Sequence, residues 1–89
     1  GVAEPARSMY ALAGRLVLVD DFPVLTPAPR EVRSAIELRT IAEKYRLPVL
    51  HRIDKTTDRH TFLLITQQEG SFLWRPSEQA TSRWATFFG

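Results

Sequence analysis

The densest apolar stretch of the chain is Thr61-Phe62-Leu63-Leu64-Ile65-Thr66, where apolar residues fall on odd and even positions alike. Successive strand residues point to opposite faces. The stretch therefore reads as a strand covered on both sides, and such a strand is central. On either side lie Val49 to Asp54 and a run ending at Arg75, set off by Lys55-Thr56-Thr57-Asp58 and by Gln68-Glu69-Gly70. The pattern predicts a three-stranded antiparallel meander over about 48–75. In its first hairpin a two-residue and a four-residue loop give the same register, with Asp54 opposite Arg59 and Ile53 opposite His60. One face then holds Val49, His51, Ile53, His60, Phe62 and Leu64. The other holds Leu50, Arg52, Asp54, Arg59, Thr61, Leu63 and Ile65, with a cross-strand ion pair expected between Asp54 and Arg59. The second turn admits a three-residue loop, with Gly70 left-handed and a bulge, or a two-residue Glu69-Gly70 loop. The slip between them swaps the face that Phe72 and Trp74 occupy.

Upstream, Leu16-Val17-Leu18-Val19 is again apolar on both parities and forms the core of a first strand within 9–20. Gly14 marks a bulge or break, and Asp20-Asp21 with Pro23 closes the strand. Thr26 reads as a cap, with the following prolines in the first turn of a helix over about 29–46. Val32, Ala35, Ile36, Leu38, Ala42 and Tyr45 make its apolar arc, Ile41 sits at the edge, and Arg33, Glu37, Thr40 and Lys44 face water. Leu47-Pro48 ends it. After the meander, Ser77 caps a last helix over about 77–88, with Ala80, Trp84, Phe87 and Phe88 on one face. Residues 1–8 form a loose arm, and residues 9–89 a single domain. The order β-α-β-β-β-α predicts an α+β fold, a mostly antiparallel sheet packed by two helices. If the first strand joins that sheet, the first helix can be a crossover between parallel neighbours.

Composition adds boundaries. Eighty-nine residues, 44% hydrophobic and 25% charged, suit one globular domain with its own core. Without cysteine there is neither a disulfide framework nor a thiolate metal site. No apolar run is long enough to cross a bilayer as a helix, and no secretory leader pattern is present. A cytoplasmic setting is the first expectation. Gly1 in place of methionine suggests excision from a larger protein, which leaves an extracytoplasmic origin open.

Candidate chemistry is sparse. Leu18-Val19-Asp20-Asp21-Phe22-Pro23-Val24-Leu25 resembles the first strand and acidic loop of response-regulator receiver domains, where paired acids hold Mg²⁺. A receiver requires a further alternating strand–helix series, and here a meander stands in its place. Asp20 and Asp21 therefore read as a strand end in solvent. His51 and His60 share a face diagonally, yet no third ligand falls on it, so no metal site is assigned. No nucleophile elbow, phosphate loop or converging acid pair occurs. The expectation is a non-enzymatic chain without a cofactor.

Two surfaces then compete. Phe72, Trp74, Trp84, Phe87 and Phe88 cluster late in the chain, and unburied aromatic surface marks a protein contact. The first reading is thus a protein-interaction, dimerisation or regulatory module, with Trp74, Trp84 and Phe88 as anchors. The alternative is nucleic-acid binding through Arg52, Lys55, Arg59 and Arg75 on the meander. Twelve basic residues against ten acidic ones give a net charge of only +2, without a basic stripe. A third reading is an extracytoplasmic domain of a bacterial membrane protein.

Overall fold

The computed structural model describes residues 13–77 and Phe88. The expected arm, and the last helix except for Phe88, lie outside the described residues. Among the described residues five strands and one helix are seen: β1 Leu16–Leu18, β2 Arg30–Glu31, α1 Ala35–Tyr45, β3 Val49–Asp54, β4 Arg59–Ile65 and β5 Ser71–Trp74. They form one mixed sheet in the order β1-β3-β4-β5-β2. The meander β3-β4-β5 is antiparallel, and both outer pairs, β1 with β3 and β2 with β5, are parallel. The expected parallel crossover is present, because the chain from β1 to β3 passes through α1.

The first hairpin has the register expected from parity, Asp54 opposite Arg59 and Ile53 opposite His60. The ion pair is not formed. The Asp54 carboxylate instead accepts from the turn N–H groups of Thr56 at 2.9 Å and Thr57 at 3.4 Å. Those local bonds hold its pKa below the ordinary carboxylate value. The second turn has three residues and a left-handed Gly70 at φ 82°, as in the first expected form, but the loop is set one residue earlier, and the two-residue form does not occur. Ile65 pairs with Ser71, and the Thr66 N–H donates to the Gly70 carbonyl at 3.1 Å, so the loop is Gln67-Gln68-Glu69. The Thr66 hydroxyl explains the shift. It donates to the same carbonyl and accepts from the Glu69 N–H at 3.0 Å, binding Thr66 into the turn. Leu64 then opposes Phe72, and Phe62 opposes Trp74.

The helix is shorter than its apolar spacing predicts. Ser34, not Thr26, is the N-cap, and its hydroxyl accepts from the Glu37 N–H at 3.2 Å. Glu37 reaches back to the Arg33 N–H at 3.2 Å, as in a capping box. Residues assigned from sequence to the first helical turn are instead β2, whose Arg30 and Glu31 lie beside Phe72 and Leu73. The helix ends with Arg46 in the left-handed region at φ 56°, ahead of Leu47-Pro48. Gly14, at φ +70°, donates its N–H to Leu47 and fits against Glu43 at the base of the same helix.

Two unlike layers cover the sheet. Ala35, Leu38 and Ala42 of α1 pack on Val49, Phe62, Leu64, Phe72 and Trp74, and Phe88 joins the same core. Ile36, placed in the apolar arc from spacing, is 55% exposed because the buried stripe is only three residues wide. On the opposite face Leu63 is 1% exposed with no helix of the described residues above it. Its cover is the connection from β1 to β2: Phe22, Pro23, Leu25 and Pro29 gather over Thr61, Leu63 and Leu73. Arg52 secures that connection. Its guanidinium lies 4.7 Å from the Phe22 ring centre and donates to Asp21 at 2.7 Å.

Candidate functional site

Two features of the described residues go beyond packing, and both involve β3. The first is an open sheet edge. The Val49 N–H donates to Arg15 and the His51 carbonyl accepts from the Val19 N–H, both at 2.8 Å. Positions 49 and 51 therefore aim their backbone polar groups at β1, and Ile53, two residues on, aims its own the same way. β1 has already ended: its last register pair is Leu18 with His51. Beyond that point lies an open groove of about 700 Å³ lined by Leu18 to Asp21 and Arg52 to Lys55. Leu18 is 65% exposed at its rim. Asp21 accepts from the Phe22 N–H at 2.8 Å as well as from Arg52, and these bonds, the backbone one foremost, lower its pKa.

The second feature is the histidine pair. Side-chain parity places His51 and His60 on one face, and their rings lean together until His51 Nε2 and His60 Nδ1 are 2.8 Å apart. His51 is 6% exposed and stacks on Phe62 with centroids 4.5 Å apart. Phe62 in turn stacks on Phe88 at 5.5 Å and meets Trp74 at 5.2 Å. Desolvation, and secondly the charge of His60, hold the His51 pKa below the ordinary imidazole value. Diagonal backbone separation alone gave no sign of this contact, in which the ring centres lie 5.0 Å apart with their planes 19° from parallel. Among the described residues no group of three or more His, Cys, Asp or Glu side chains could hold a metal ion.

The residues singled out from sequence do not converge on one site. Phe72 and Trp74 are each 6% exposed and Phe88 4%, so all three belong to the hydrophobic core of the chain itself. Trp84 and Phe87 lie outside the described residues. Of the basic set, Arg52 is bound to Asp21, and Arg75 pairs with Glu31 at 3.2 Å. Lys55 and Arg59 lie at the exposed first turn of the meander. No helix among the described residues is long and apolar enough to cross a membrane. Nothing in the described residues forms a catalytic constellation, and nothing in the comparisons indicates an enzymatic activity. The open edge of β3 was missed because parity describes faces of a sheet and says nothing of where a neighbouring strand stops. Compared with family models, with curated proteins and with solved structures, the chain matches none.

Proposed function

We propose that the chain is a non-enzymatic interaction module that captures an extended segment of a partner protein along the free edge of β3. The observation that carries this reading is that β3 outruns β1, leaving the Ile53 backbone facing an open groove. Added strands gain affinity from main-chain hydrogen bonds and specificity from alternate side chains. Leu18 and Ile53 share a face beside the groove and suit an apolar residue of the incoming strand. Asp20 and Asp54 line the same groove and suit a basic neighbour.

The test is selection of linear peptides from a random library, followed by anisotropy titration against the chain and its Ile53→Pro variant. Proline removes the edge-facing N–H without touching the β4 ladder. Enriched peptides that bind the parent and lose at least about tenfold in affinity for Ile53→Pro, a change of about 1.4 kcal/mol, support the proposal. Failure to enrich peptides, or binding indifferent to Ile53→Pro in a variant with an unchanged circular dichroism spectrum, overturns it. Light scattering identifies a second copy of the chain as the strand donor if a concentration-dependent dimer disappears in the same variant.

A further inference from the structure

The second feature of β3 has a chemistry of its own, independent of the edge. In the neutral pair one imidazole nitrogen carries the shared proton and the other accepts it across 2.8 Å. A first added proton goes to one of the two outward nitrogens and leaves that hydrogen bond in place, now charge-assisted. A second added proton gives two imidazolium rings whose facing nitrogens both bear hydrogen. The bond is then lost and like charges face each other at contact distance.

The surroundings decide what that repulsion does. His51 is buried, lies beside Leu18 of β1 in the register and stacks on Phe62. Along β3 and β4 the neighbouring charged side chains, Arg52, Asp54 and Arg59, belong to the other face. From β5 the facing side chain is Trp74, and from α1 the residues against this face are Ala35, Leu38 and Ala42. Phe88 completes the set. Among the described residues, the titratable groups on this face of the meander are thus the two histidines themselves.

We infer that the His51–His60 pair, bonded across 2.8 Å against the Phe62–Phe88 stack, is a proton-operated latch that stays shut with one added proton and opens with the second. Opening separates the rings and loosens the stack on which Phe88 sits. The lowered pKa of His51 agrees in sign: the neutral form is favoured in the folded state, so this stabilisation is complete above about pH 6.5 and is lost as pH falls through the lower folded value.

The experiment is urea unfolding of the chain and of His60→Gln between pH 6.5 and 5, with imidazole nitrogen NMR of the parent over the same range. Each proton taken up on unfolding raises the unfolding constant about tenfold per pH unit. The parent is expected to show a steeper rise than His60→Gln. Its two imidazoles should titrate in two linked steps, with the ring contacts of Phe62 and Phe88 lost in the second. Equal pH slopes for the two proteins, or two independent single-proton curves with the ring contacts unchanged, overturn the inference. His60 is only partly buried, which makes Gln at this position compatible with folding. The NMR measurement on the parent decides the matter even if that variant does not fold.

Discussion

Phe62 is the residue on which most of the core depends. It is fully buried and touches His51, Trp74 and Phe88 by ring contact. Truncation of a buried phenylalanine loses its transfer free energy and leaves a cavity, at about 3–5 kcal/mol. Phe62→Ala is expected to lower stability by that amount in urea unfolding, enough to unfold a marginal domain. Two glycines make a finer contrast. Gly14 and Gly70 both have positive φ, at 70° and 82°. A Cβ at Gly14 would also meet the Glu43 side chain at 3.1 Å, whereas at Gly70 it meets nothing within 4 Å. The left-handed conformation costs a non-glycine residue about 1–2 kcal/mol. Gly70→Ala should show that cost alone, and Gly14→Ala should be the more destabilising of the two by thermal melting. At this scale the sequence was partly legible. Parity put His51, His60, Phe62 and Leu64 on one face, but nothing in a strand pattern distinguishes an aromatic used as core from one left for a partner. Phe72 and Trp74 are buried because the second hairpin sets them opposite Leu64 and Phe62 on the face that α1 covers, in a register fixed with the help of the Thr66 hydroxyl, whose bonds lie beyond the reach of periodicity.

Among elements, α1 shows where sequence reading goes astray and why. The apolar spacing from Val32 onward is genuine, and Val32 does pack against the core, yet it does so from the exit of β2 rather than from a helix. The Ser34-Ala35-Ile36-Glu37 pattern was the true start signal, and the prolines upstream drew the boundary away from it. Ser34→Ala should destabilise the fold by about 1 kcal/mol, read from the urea midpoint, by freeing one helix-end N–H. Ile36→Lys, on the exposed side of the same helix, should change stability by no more than about 0.5 kcal/mol. β2 could not be read at all. It has two polar, exposed residues, Arg30 and Glu31, and gains its identity only from lying against β5. Its position is held from both ends, by Arg30 over the Phe72 ring at 4.6 Å and by the Val32 N–H on Leu73.

For the whole molecule, the sequence raised the question of what covers the second face of the central strand. Among the described residues the answer is the chain's own β1–β2 connection. An irregular segment with three prolines carries no hydrophobic period, so nothing in its pattern announced a layer. Its attachment through Asp21, Phe22 and Arg52 makes a testable point. Arg52→Ala removes the ion pair and the ring contact together, and limited proteolysis should then cut within residues 20–29 faster than in the parent, while the α1 side keeps its protection. Acid should do the same. The Asp21 pKa is lowered in the folded chain, so its contribution is complete above about pH 3.8 and disappears as pH falls through the lower folded value. Proteolysis by an acid-active protease, or hydrogen exchange across that range, would register the loosening.

The placement of β1 and β2 on the outer edges of the meander has a consequence for synthesis. Both strands precede the meander in the chain, and both take their hydrogen bonds from it. During N-terminal-first emergence from the ribosome, Leu16, Val17 and the connection that follows must wait, with apolar side chains uncovered, until β3 and then β5 appear. The meander is made of neighbouring segments and can close early, whereas its two flanks close only across long separations. The last strand to be made, β5, is thus the one that seats β2 and draws the connection over Leu63, so that a nascent chain halted before Ser71 keeps one face of its central strand bare.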